Sequence, residues 1–199
     1  VSSVIKGIIN WKKADNGAEA DDFLINDTFL QYAGETAGDW FPIGLGRYGA
    51  KDNYEGYLAV ITDNIEKRYQ TKAKLHAVKA TEWHRISLAV LAAGGDPTHI
   101  GKDPNGQPIN LIADGTYNRG KTVSLGRQGI NGWIWGLIAL DSKRYSIPQN
   151  SYYTREDIIT EILRQQLGDG GFALSGNTSD PDITAMAIQA LAPYCNDSK

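Results

Sequence analysis

"GDGGFALSGNTSDPDITAMAIQALAPY", Gly168 to Tyr194, sets a turn rich in Gly, Ser, Asn and Asp before a segment that is apolar on nearly every side. From Ile183 to Leu191 only Thr184 and Gln189 are polar, so a helix here has almost no face for water and must be packed by neighbours. Asp180 and Pro181 stand where a helix N-cap and a first helical residue belong.

Two other segments share this character, "ISLAVLAAGG" (Ile86 to Gly95) and "GWIWGLIAL" (Gly132 to Leu140). Both are rich in small residues, which let helices approach closely. By contrast "YLAVITDNIEKRYQ" (Tyr57 to Gln70) and "TREDIITEILRQQ" (Thr154 to Gln166) carry charges along one side, as outer helices facing water do. The alternation of the two kinds predicts an inner ring of helices enclosed by an outer one.

The inner helices also repeat. Asp39, Glu82, Asn131 and Asp182 recur at spacings of 43, 49 and 51 residues. Five positions on stand the small residues Gly44, Ser87, Gly136 and Ala187, and then the aliphatic Leu45, Leu88, Leu137 and Ile188. The chain therefore reads as all-α, a single domain over residues 1–199 built of about four helical-hairpin repeats, with part of a fifth at the N-terminus. Helical periodicity predicts helices over 2–13, 22–33, 39–49, 54–69, 81–93, 109–114, 129–140, 154–167 and 180–193. No long segment alternates as a strand does.

Composition removes several classes of function. A net charge of -3 with dispersed Lys and Arg gives no footprint for nucleic acid. The basic run from Glu66 to Lys79 reads as a solvated face. A lone cysteine, Cys195, excludes an intrachain disulfide, and His76, His84 and His99 have no metal-ligand spacing. No segment reaches the roughly 20 apolar residues of a membrane span. The loop from Gly101 to Lys121 lacks EF-hand spacing and reads as a surface excursion. Glycan acceptor patterns occur at Asn26, Asn177 and Asn196, the last completed by Ser198.

"QQLGDGGFAL" (Gln165 to Leu174) resembles the Gln-rich, Asp-Gly-Gly-aromatic turn of the prenyltransferase and squalene-oxidase repeat, and "SDPDITAMAIQAL" its following inner helix. "GDWFPIGLGRYG" (Gly38 to Gly49) is similar to inner helices of secreted bacterial members. The resemblance covers about Asp39 to Tyr194 and implies an α/α toroid, a terpenoid cyclase-like and protein prenyltransferase-like architecture, with an extracellular or cell-surface location. Four inner helices are fewer than the five or six of a closed toroid that the resemblance implies, so an incomplete ring is expected, which would expose a helix pair at each end and favour a homodimer or missing flanking sequence.

The resemblance also brings chemistry to compare. Class II cyclases carry Asp-x-Asp-Asp, whose middle aspartate is the acid; Asp180 and Asp182 match the first and third positions, and Ile183 departs from the fourth. The prenyltransferase zinc site needs a Cys ahead of a His, whereas Cys195 follows every histidine. The Cys-Gly-Glu-Gln of thioester domains is missing. No metal or cofactor is expected.

The repeat supplies a second test. Because Asp182 corresponds to Asp39, Glu82 and Asn131, these residues answer to a common demand at helix starts, where free backbone N–H groups and the dipole favour carboxylates and amides. Trp40, Trp83, Trp133 and Trp135 gather near inner-helix starts, with Phe41, His84 and Arg85 beside them. Tryptophan is a frequent binding anchor. The reading that results is a non-catalytic binding module whose rim of Trp40, Trp83, His84, Trp133 and Trp135, with Asp182 nearby, meets a small molecule, a glycan or a protein. Two alternatives stay open: a terpenoid cyclase-like enzyme with Asp182 as general acid beside Asp180, and a corrinoid-binding relative of cobalamin carriers.

Overall fold

The computed structural model describes residues 1–120 and 124–196, so Lys121 of the expected surface excursion and Ser198 of the third glycan pattern lie outside the described residues. The described chain is mostly helical, with one short β-hairpin. Its contacts group into two compact units, one of residues 1–74 and 88–109 and one of residues 75–87 and 110 onward. The boundary passes through a single helix, α5 (Thr81–Ala92).

The first unit holds α1 (Ser2–Asp15), α2 (Asp27–Leu30), α3 (Thr36–Tyr48) and α4 (Tyr54–Tyr69). Helix α4 has the bounds its periodicity predicts. It buries Tyr57, Ile61, Ile65 and Tyr69 at a spacing of four, and starts at Asn53, whose side chain accepts from the Gly56 amide. The helix expected over 22–33 shrinks to α2, because Asn26 caps it by accepting from the Phe29 amide. In α3 the second half bears against α5: a Cβ on Gly46 would overlap the carbonyl of Ala92. Gly44, the small residue of the repeat, has open space around it instead. Close approach thus falls two residues beyond the position that the repeat marks.

The segment read as a surface excursion opens within the antiparallel pair β1 (Ile100–Lys102) and β2 (Pro108–Ile109). Strands of three and two residues are too short to show a period. The hairpin is held by the Lys102 amide donating to Glu66 Oε1 (2.7 Å), and Asp103 Oδ1 accepts from the Asn105 and Gln107 amides within its turn.

The second unit contains the first half of α5, α6 (Leu111–Gly115), α7 (Ile130–Asp141), α8 (Arg155–Leu163) and α9 (Pro181–Leu191). Its core joins Ile112, Ile130, Ile134, Leu137, Ile158 and Ile162 with Phe172 and Ala187. Helix α7 is the centre, packed by α8 and α9, and a 3-10 turn (Leu125–Gln128) leads into its start. Asp141, at the end of α7, receives Arg155 Nε (2.8 Å) and the Tyr194 hydroxyl (2.6 Å). Burial and the hydrogen bond to that carboxylate push the Tyr194 phenol up to about 12. This network joins α7, α8 and the turn that follows α9.

Gly46→Ala tests the helix approach in the first unit. Forcing a methyl group against a backbone carbonyl is expected to destabilise by about 1–3 kcal/mol, read as a lower urea midpoint. Gly44→Ala, in open space, should leave the midpoint unchanged or raise it.

Candidate functional site

The four positions related by the repeat all fall in first turns of helices, and each does different work. Asp39 is wholly buried and accepts from the Gly34 amide (2.8 Å) and the Tyr57 hydroxyl (2.7 Å). Glu82 pairs with Arg85 at 2.6 Å. Asn131 Oδ1 is buried without a hydrogen-bond partner among the described residues. Asp182 is exposed in the first turn of α9, and it is Asp180 that caps this helix, accepting from the Asp182 (2.8 Å) and Ile183 (2.9 Å) amides, with Pro181 as the first helical residue. The cap at Asp180 is the one the residues predict. A single demand at all four positions is not what the structure shows: the helix dipole favours such residues, and local partners decide each role.

The expected rim residues are also dispersed in environment. Trp40 lies in the first unit and is exposed; Trp83, His84, Trp133, Trp135 and Asp182 lie in the second. Trp83 is buried, its Cβ filling the space where a side chain on Gly115 would stand and its ring under the Arg119 guanidinium at 4.3 Å. Trp135 is half-buried against the core. Glycine at 115 is what lets Trp83 sink inward, a relation between distant residues that no local pattern displays.

His84 is buried beside it. Its Nε2–H donates to the Gly115 carbonyl at 2.7 Å, while Nδ1 has no partner among the described residues. Burial lowers its pKa to about 4, with the Arg119 charge adding to the shift and the Gly115 hydrogen bond opposing it. The ring is therefore a neutral packing element at pH 7.

Trp133 belongs to a different place. Its indole lies against Gly126 in the 3-10 turn, where a Cβ would come within 2.7 Å of Nε1, and its ring meets Tyr153 edge-on with centroids 5.2 Å apart. The Tyr153 hydroxyl donates to the Gly120 carbonyl (3.0 Å), and the Tyr152 amide donates to the Tyr117 carbonyl (2.9 Å). These bonds pin the tyrosine pair just before α8. Helix α8 then begins at a capping box, in which Asp157 Oδ2 accepts from the Thr154 amide and hydroxyl and Thr154 Oγ1 accepts from the Asp157 amide.

Around this pair opens a groove of about 510 Å³. Trp133, Tyr152 and Tyr153 form its aromatic part, while Ser124, Asp157, Thr160 and Glu161 supply oxygens. The Tyr152 side chain is the exposed member of the trio, at 59%. Hydrogen bonds from Thr154 hold the Asp157 carboxyl below the usual range, and Glu161 is paired with Arg164 at 2.8 Å. Both stand on one helix four residues apart, so they do not flank a bond from opposite sides as a hydrolytic pair does. Of the expected residues only Trp133 lines this groove. The sequence signal for the tyrosine pair is "SYYTRED" (Ser151 to Asp157), where two aromatics directly precede a capping box.

Among the described residues no group of three or more His, Cys, Asp or Glu is placed to hold a metal ion, and no helix is long and apolar enough to cross a membrane. Comparison with protein-family models, with curated proteins and with solved structures gives no match.

Acid should weaken the fold through His84. The unfolded side chain titrates near 6.5 and the folded one near 4, so between those values the unfolded chain binds a proton that the folded chain refuses. Stability is full above pH 6.5, falls as pH drops, and levels off below 4. The loss between pH 7 and pH 4.5 should be about 2–3 kcal/mol by urea unfolding, and His84→Gln should remove most of that pH dependence.

Proposed function

We propose that the chain is a non-catalytic binding module of the α/α-toroid type that takes a neutral saccharide in the Tyr152–Tyr153–Trp133 groove. The observation that carries this reading is the exposed Tyr152 ring beside a row of side-chain oxygens. A pyranose has an apolar face that stacks on an aromatic ring and hydroxyls that meet hydrogen-bonding groups at the edge. Ser124 and Thr160 offer hydroxyls, and Asp157 and Glu161 offer acceptors.

The same lining disfavours other ligands. Among the described residues the lining holds two carboxylates, Asp157 and Glu161, and no cationic side chain, which disfavours a phosphate or diphosphate. A cyclase reading needs an enclosed acid, and Asp182 is exposed. Support for the toroid type comes from the alternation of amphipathic and apolar helices and from the four-fold repeat of the inner-helix pattern. The proposal extends to action outside the cell, as the resemblance to secreted bacterial repeat proteins implies.

Titration calorimetry with neutral cello-, chito- and malto-oligosaccharides checks the reading. One series should bind the parent chain, and Tyr152→Ala should weaken it at least tenfold, about 1.4 kcal/mol, with an unchanged melting temperature. Absence of binding to any series, or undiminished binding in a folded Tyr152→Ala protein, removes this groove as the saccharide site.

A further inference from the structure

Helix α8 borders the tyrosine groove with three polar residues that fall on one face. Thr160 and Glu161 follow Asp157 by three and four residues, so both are its neighbours on that face, and the two acidic positions are separated by about 6 Å along the helix axis. Local hydrogen bonds use one oxygen of each carboxylate. Asp157 Oδ2 accepts from the Thr154 amide and hydroxyl, and Glu161 Oε2 accepts from Arg164 Nε and Nη2. Asp157 Oδ1, Glu161 Oε1 and the Thr160 hydroxyl have no hydrogen-bond partner among the described residues.

An ionised carboxylate only accepts, whereas a hydroxyl both donates and accepts. Along the axis Thr160 comes between the two acceptors, so the ligand edge that matches this face carries a donor at each end and a hydroxyl between them. Three neighbouring equatorial hydroxyls of a pyranose form such an edge, reaching along about one helical turn of 5.4 Å. An axial hydroxyl leaves that edge and stands over a face of the ring, which takes one donor away from α8. A ring whose substituents are all equatorial also presents only C–H bonds on either face, the surface that stacks on the exposed Tyr152 ring.

Resting on the saccharide reading of this groove, we infer that it selects the non-reducing terminal unit of a gluco-configured chain, held through equatorial donors at the 2-, 3- and 4-positions by Asp157, Thr160 and Glu161. A hydroxyl and an acetamido N–H both donate, so either serves at the 2-position. In a 1,4-linked chain the 4-hydroxyl is free on the non-reducing unit alone. Internal units lack that donor, and the end of the chain is what the groove holds.

Titration calorimetry with disaccharide pairs that differ only in the orientation of the terminal 4-hydroxyl tests it: cellobiose against lactose, diacetylchitobiose against GalNAcβ1-4GlcNAc, and maltose against Galα1-4Glc. In a series that binds, the equatorial member should bind at least about tenfold more tightly than its axial partner, and the tetrasaccharide should bind no more tightly than the disaccharide. Thr160→Val and Glu161→Ala should each weaken the equatorial member by about fivefold or more with an unchanged melting temperature, and Thr160→Ala replaces a Thr160→Val protein that does not fold. Equal affinity within a pair, or affinity that climbs with chain length, overturns the inference and leaves the saccharide reading in place. So does undiminished affinity in a folded Thr160 variant. No binding by any of the three series removes the saccharide reading, and this inference with it.

Discussion

The approach of Gly132 to the Leu125 carbonyl governs the second unit. A Cβ at position 132 would overlap that oxygen, so the first turn of α7 and the 3-10 turn ahead of it can meet only with glycine there. Gly126 repeats the device one step away, leaving room for the indole of Trp133. Trp133 in turn sets the edge-on contact with Tyr153, and the Gly120 carbonyl fixes the far end of that tyrosine. Two absent side chains thus determine where an aromatic groove opens. Gln128 reinforces the arrangement by hydrogen bonds to the Thr81 hydroxyl (2.9 Å) and amide (3.2 Å), which couple the turn to the start of α5.

Chemical character follows from how the polar groups around this frame are already engaged. Carboxylates that accept two or three local hydrogen bonds stay ionised and make poor proton donors, as Asp157 shows at its capping box. Asp180 accepts from two amides of α9, and Asp39 accepts from a backbone amide and a phenol. His84 is neutral and enclosed. Among the described residues the groove offers hydroxyls, carboxylate acceptors and an exposed ring.

Local signals in the sequence were legible where one segment held both the cause and its effect. Tyr54–Tyr69 displays its apolar period and its Asn53 cap within sixteen residues, and Asp180-Pro181 carries the start of α9 in two. The all-α class follows from such segments. Relations between distant residues were not legible. Nothing near Trp83 indicates that Gly115 will admit its ring, and nothing near Gly46 names Ala92 as its neighbour. The repeat register was similarly limited: it marks small and aliphatic positions, yet Gly44 lies in open space and Ile188 faces outward. At the groove, Trp133 is legible by residue type, whereas Tyr152 and Tyr153 become a visible pair only through the fold of the preceding loop.

The central claim is that ligand recognition resides in the tyrosine groove. Its most direct measurement is a ¹⁵N-resolved chemical-shift titration of the chain with the oligosaccharide series. The account predicts shifts concentrated at Ser124, Trp133, Tyr152, Tyr153 and the first two turns of α8, with the Trp133 indole N–H among them. Shifts centred on Trp40 or on Asp182, or none with any series, would contradict it.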